Sequence, residues 1–260
     1  MILPGPHILP LGHRSDAIYT VTEGVTERQP VGNWIPTAGI ETSYWDNQVA
    51  GGDNLRRFNG ITHSTTDPDH FLFDGTDDYL GTASTGYGGA AFQLNCANAY
   101  TIAQWFKYNN VVHYAFNIDT GSGYSVDLYI TASGDGANGK LTAVHEDNGS
   151  GTGGTTTFSN FTFSDDIWYY ISLTHDGSGN YKFYVNGSFV GSSSVGAGDD
   201  GNITAPLLIG RDGSNYTGAN TKLGHVHVYT VTLTNSQLRQ NFLASHSIND
   251  SRIYGANYTG

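Results

Sequence analysis

The sequence predicts an all-β fold: a two-sheet antiparallel jelly-roll sandwich preceded by an extended N-terminal arm. Three observations carry this expectation. Short runs of alternating apolar and polar residues recur along the chain, bounded by Gly-, Asn- and Asp-rich turns. The composition pairs 35 Gly with only 7 Pro and 17 Tyr in 260 residues, which suits many short strands joined by tight turns. Only one stretch near the C-terminus has helical spacing.

Residues 1–66 read as an extended arm followed by an irregular wrapping segment. Pro4, Pro6 and Pro10 fix extended backbone and exclude an early helix. The start is apolar but has no basic n-region, so it does not read as a signal peptide. With its initial Met retained, it is expected to pack on a neighbour, with Ile2, Leu3, Ile8, Leu9 and Leu11 as contacts. Residues 31–66 are turn-rich, with Trp34, Trp45 and Phe58 as spaced apolar anchors. Trp34 and Trp45 are expected at the same assembly contact. The alternative is that this segment wraps the edge of the chain's own main domain.

The main domain is expected over 67–248, with a tail at 249–260. H-F-L-F-D-G-T-D-D-Y-L-G reads as a strand, an Asp-Gly turn and a strand. Strands are then expected at 100–107, 111–118, 125–131, 141–146 and 158–163. The stretch from Trp168 to Gly191 is the clearest signal of all. It reads as a three-strand meander, turning first through a Gly-rich loop and then through Asn186-Gly187, a pair that tolerates left-handed backbone. A short strand at 206–210 and a long one at 223–230 follow. Thr234 to Leu243 is the single helical stretch, one or two turns long, with Thr234 as its cap, Gln237 as the capping-box partner, and Leu238 and Phe242 as its apolar face. About a dozen strands with one-sided alternation call for two facing sheets.

Charge narrows the partners. Net charge is -12, with 11 Lys and Arg in all. A nucleic-acid surface needs a basic footprint, which this chain lacks. No run reaches 18 apolar residues, so no membrane insertion is expected. Low charge leaves much of the surface to Ser, Thr, Asn and Gly, which suits sugars or protein neighbours. The lone Cys96 cannot form an intrachain disulfide and is expected to be a small buried residue.

Several motifs, in order, carry a resemblance. They are F-L-F-D-G-T-D-D-Y-L at 71–80, Y-T-I-A-Q-W-F-K at 100–107, W-Y-Y-I-S-L-T-H-D at 168–176, Y-K-F-Y-V-N-G at 181–187, L-L-I-G-R at 207–211, and L-G-H-V-H-V-Y-T-V-T-L-T-N-S-Q-L at 223–238. Together, over about 70–245, they resemble the laminin-G-like branch of the concanavalin A-like lectin/glucanase superfamily. The resemblance implies a β-sandwich that serves as a carbohydrate-binding, adhesion or structural module. The chain departs from the pattern at the closing element, where His225 and His227 stand in place of acidic residues.

Glycosidases of this superfamily carry an E-x-D-x-x-E strand, which is absent here. The four glutamates are Glu23, Glu27, Glu41 and Glu146, and only Glu146 falls in the sandwich. A glycoside hydrolase is therefore a remote alternative, and the chain is read as non-enzymatic. His225 and His227, two apart on one strand, share a face. Zinc is one reading of them, and a polar outer face opposite Val226 and Val228 is the preferred one. Calcium, which takes hard oxygen ligands from loops, has Asp74, Asp77, Asp78, Asp199 and Asp200 as candidates. For glycans, the loop tyrosines Tyr87, Tyr124, Tyr216 and Tyr258 are candidates to stack on a sugar face.

The main functional expectation is a structural subunit of a large assembly on a virion surface, as capsid decoration or a fibre protein, with protein neighbours as partners. The alternative is a carbohydrate-binding adhesion module, extracellular or at a cell surface, that recognises cell-surface glycans.

Overall fold

The computed structural model describes residues 30–36, 38–66, 69–82, 93–95, 98–119, 125–130, 139–146, 155–158, 161–194, 204–212 and 215–248. In chain order the strands are β1 (Gly32–Trp34), β2 (Tyr44–Trp45), β3 (Leu55–Phe58), β4 (Thr62–Ser64), β5 (His70–Leu72), β6 (Tyr79–Gly81) and β7 (Leu94–Asn95). Next come β8 (Ala99–Lys107), β9 (His113–Asp119), β10 (Ser125–Ile130), β11 (Leu141–Glu146) and β12 (Thr155–Phe158). The meander is β13 (Trp168–Asp176), β14 (Asn180–Val185) and β15 (Ser188–Ser194). The last are β16 (Thr204–Ala205), β17 (Leu207–Ile209), β18 (Arg211–Asp212), β19 (Asn215–Tyr216) and β20 (Lys222–Tyr229), followed by helix α1 (Asn235–Ile248).

Two antiparallel eight-stranded sheets face each other, as the sequence predicts. The first runs β15-β14-β13-β8-β20-β5-β4, with β1 also pairing to β20. The second runs β12-β11-β10-β9-β17-β6-β3-β2. Between them lies one core, which includes Phe71, Phe73, Ile102, Phe106, Phe116, Ile171, Phe183, Leu207 and Val228. Polar side chains also meet across it. Gln104 on β8 and His113 on β9 bridge the sheets, with Nε2 to Nε2 at 2.7 Å, and His113 Nδ1 lies 3.3 Å from Thr217 Oγ1. Burial pushes His113 down to about 3, so its ring is neutral.

The first sheet is buried on its other face as well. β8 and β13 alternate strictly, and α1 covers the face turned away from the core. Ala103, Trp105, Trp168 and Tyr170 pack there with Phe242 of the helix, while Tyr184, Tyr229 and Leu233 pack with Leu238. A bulge in β20 lets Leu223 and Val226 both face inward: Leu223 pairs with Phe106 and Val226 with Gln104. Gly224 fills the bulge because a Cβ there would sit 2.9 Å from that of Trp105.

Turn chemistry in the meander follows the sequence. Asn186 and Gly187 both take positive φ, 51° and 72°. A Cβ on Gly187 would also lie 2.7 Å from Arg239 Cα of the helix, so the turn residue has a second, steric reason to be Gly.

Three expectations are corrected. The segment 31–66 is not irregular: its described residues supply β1 to β4 to the two sheets. Trp34 and Trp45, expected at an assembly contact, are 1% and 0% exposed within the chain's own core. The Trp45 indole N–H donates to the Ile35 carbonyl at 2.9 Å. This segment therefore wraps its own domain. Helix α1 is also longer than one or two turns, at 14 residues. Its cap is the expected one: Gln237 Oε1 accepts from Thr234 N–H at 2.8 Å, and Thr234 Oγ1 accepts from Gln237 N–H at 3.3 Å.

Candidate functional site

On the outer face of the second sheet, pairing between β3 and β6 sets Phe58 opposite Tyr79 and Arg57 opposite Leu80. Leu80 belongs to the core, so Phe58 and Tyr79 point the other way. Their rings stack at 4.2 Å with 5° between planes. The small β18–β19 hairpin places Arg211 opposite Tyr216. Tyr216 lies 6.3 Å from Tyr79 between centroids. The Arg211 guanidinium carbon sits 4.9 Å from the Tyr79 ring and 5.5 Å from the Tyr216 ring. Arg56 lies 5.2 Å over Phe58. The result is a row of three rings and two guanidinium groups, each contact of a kind contributing about 0.5–1 kcal/mol at a surface. Tyr79 is buried within the row, while Phe58, Arg56, Arg211 and Tyr216 are half-buried.

The acidic turn between β5 and β6 adjoins this row. Asp74, Asp77 and Asp78 each bring a carboxylate oxygen within 4.8 Å of the others. Asp74 Oδ1 accepts from Thr76 N–H at 2.7 Å, and Asp78 Oδ2 accepts from Asp74 N–H at 3.0 Å. Gly75, at φ 83°, closes the turn against Ala219, whose backbone N would lie 2.5 Å from a Cβ at that position. The turn is therefore held against the segment just after Tyr216. Asp78 is 4% exposed, and its Oδ1 has no hydrogen-bond partner. Burial is the main reason its carboxyl is pushed up to about 6; the Asp74 N–H bond and Arg57 lower it, and the Asp74 and Asp77 charges raise it. Three carboxylates with one buried oxygen left over form a donor set suited to a divalent cation.

Of the sequence-predicted residues, the structure brings together Tyr216, Asp74, Asp77 and Asp78. Tyr87, Tyr124, Tyr258, Asp199, Asp200, Cys96 and the contacts Ile2, Leu3, Ile8, Leu9 and Leu11 lie outside the described residues. His225 and His227 share a face, as their spacing requires, but that face is not a solvated one. Both are fully buried on the helix-covered side of the first sheet, which corrects the expectation of a polar outer face. No third metal-ligating side chain joins them among the described residues. Arg56, Tyr79 and Arg211 were missed by sequence reasoning. The signal was present in L-R-R-F, whose alternation sets Arg56 and Phe58 on one face, and in Tyr79 following Asp78 directly.

The family model described as the concanavalin A-like lectin/glucanases superfamily matches residues 74–239. The chain belongs to this superfamily. None of the curated proteins matches it. Among solved structures, the chain is similar to the botulinum neurotoxin serotype D binding domain, with TM-score 0.61 and 12% identity over 83% of this chain and 51% of that one. It is likewise similar to the serotype D ligand binding domain in complex with N-acetylneuraminic acid, with TM-score 0.59 and 12% identity over 83% and 50%. A third is the botulinum neurotoxin type G receptor binding domain, with TM-score 0.57 and 13% identity over 83% and 51%. The chain thus spans about half the length of these structures.

At such identities the likeness concerns the fold of this superfamily member. It still corrects the main functional expectation. The solved structures it is similar to are binding domains of botulinum neurotoxins, so the virion-surface structural role and location are set aside. The reading of the chain as a non-enzyme agrees with these binding domains. No described helix is long and apolar enough to cross a membrane.

Proposed function

We propose that this superfamily member is a carbohydrate-binding adhesion module, extracellular or at a cell surface, that recognises cell-surface glycans. The observation that carries the reading is the half-buried Tyr216 at the end of the ring–guanidinium row, beside the acidic turn. A sugar ring stacks its C–H face on an aromatic ring, and its hydroxyls take hydrogen bonds from flanking polar groups. Tyr216 offers the ring, and the Arg211 and Arg56 guanidinium groups lie beside it against the rings of the row. The Asp74–Asp77–Asp78 turn would hold calcium, which would neutralise three close carboxylates and fix the loop against residues 217–220. The serotype D relative, solved with N-acetylneuraminic acid, supports glycans as the ligand class.

A glycan array probed with the full chain, with and without calcium, tests this. Binding to a defined set of glycans is expected. Tyr216→Ala should weaken it about tenfold or more, the loss typical of an aromatic hot spot. Binding to no glycan, or binding unchanged by Tyr216→Ala, would overturn the assignment of this face.

A further inference from the structure

The buried histidine pair beneath α1 plays no part in the site above. His225 and His227 are 0% and 1% exposed, and their ring centroids are 4.0 Å apart. Each has one partner: His225 Nε2 lies 2.7 Å from Asn33 Oδ1, and His227 Nδ1 lies 3.0 Å from the Tyr170 hydroxyl. Their other nitrogens, His225 Nδ1 and His227 Nε2, are buried without a partner. A neutral imidazole tolerates one unmet nitrogen at modest cost. A protonated ring carries N–H on both sides and a full charge. Two such rings 4.0 Å apart also repel each other.

The groups around the pair offer no relief. β1 presents Asn33, β8 presents Ala103 and Trp105, β13 presents Tyr170, and β20 presents Tyr229. The helix packs Phe242, Asn241 and Ser245 on Tyr170, Tyr229 and Trp105, the aromatic residues beside the pair. The titratable groups on this face are the two tyrosines and His70 of β5, which is buried with its ring 6.3 Å from that of Trp168; burial raises both tyrosine hydroxyls above their usual value, so they stay protonated. No carboxylate faces the pair among the described residues.

Among the described side chains of the helix, Leu238 and Phe242 are the large buried ones, and two polar contacts lie beside them. The Trp105 indole N–H donates to Ser245 Oγ at 2.7 Å, and Asn241 Nδ2 donates to the Tyr229 hydroxyl at 2.9 Å. The main core lies on the opposite side of the sheet, and no helix residue belongs to it.

We propose that α1 is an acid-released cover: protonation of His225 and His227 lifts it from the first sheet while the sandwich stays folded. Release exposes an aromatic face of Trp105, Trp168, Tyr170 and Tyr229, which is hidden at neutral pH. Burial lowers both histidines, His227 to about 3, with His227 adding to the lowering of His225. A lowered histidine favours the closed state above the ordinary value of about 6.5, and this preference is lost as pH falls from there toward about 3. Two groups acting together make the loss steep, up to about a hundredfold in the closed-to-open ratio per pH unit. His113 differs because it lies between the sheets, so its protonation requires the sandwich itself to open.

Amide NMR spectra of the full chain from pH 7.5 to 3 test the proposal. The α1 resonances should move to random-coil positions at a pH where those of β8 and β13 keep their dispersion. His225→Asn with His227→Gln should shift the α1 midpoint acidward by at least one pH unit. If the double variant folds poorly, Tyr170→Phe, which removes a partner and leaves both histidines, should move the midpoint toward neutrality in the same spectra. Loss of α1 and strand signals together at one midpoint would overturn the proposal, as would a double variant with the wild-type midpoint.

Discussion

Asp78 shows how one side chain can serve a turn and a site at once. Its Oδ2 closes the turn on Asp74 N–H while Oδ1 stays buried without a partner. Its carboxyl is raised to about 6, mainly by burial. A raised carboxylate favours the folded state fully below its unfolded value near 4, and that contribution is lost as pH rises through about 6. Asp78→Asn keeps an oxygen for the Asp74 N–H and removes the charge. It should therefore raise stability by about 1–3 kcal/mol at pH 8 in calcium-free buffer, and by little at pH 4. Urea unfolding at the two pH values checks this. Calcium should raise the Tm of the wild type at pH 8 and leave that of Asp78→Asn unmoved. At this scale the acidic turn was readable from D-G-T-D-D, because neighbours in sequence are neighbours in a turn. The fates of His225 and His227 were not readable. Alternation gives a residue's face but not what lies over it, and the cover here comes from a helix later in the chain.

The elements were read unevenly, for physical reasons. The meander β13–β15 was clear because its turns are local and rely on Asn186-Gly187. The strands β1 to β4 were missed. They are two to four residues long, too short for alternation to show, and β1 and β3 are anchored by the later strands β20 and β6. The extent of α1 was missed because its last turns pack small polar residues on the sheet: Ser245 takes the Trp105 N–H where an apolar residue would have been expected. The start of the helix was readable because a capping box is local. Thr234→Ala should cost about 1 kcal/mol. Phe242→Ala, which empties the contact with Trp105 and Tyr170, should cost about 3–5 kcal/mol. Both are measured by thermal or denaturant unfolding at pH 7.5.

For the whole molecule, two sheets and their jelly-roll pairing were foreseen from strand count and turn spacing. The role was not, because the weight placed on an N-terminal arm pointed toward an assembly. Trp34 and Trp45 lie inside the chain's own core, and the fold stands among receptor-binding domains. The proposed glycan site lies on the outer face of the second sheet at β3 and β6, beside the separate β18–β19 hairpin, so its parts are distant in sequence. Chemical-shift mapping with the strongest glycan from an array, on the full chain with calcium, examines that face most directly. Perturbed amides are expected at Arg56–Phe58, Asp74–Tyr79, Arg211–Asp212 and Asn215–Tyr216, with the α1 face unmoved. Shifts confined to any other surface, or none with any glycan, would contradict it.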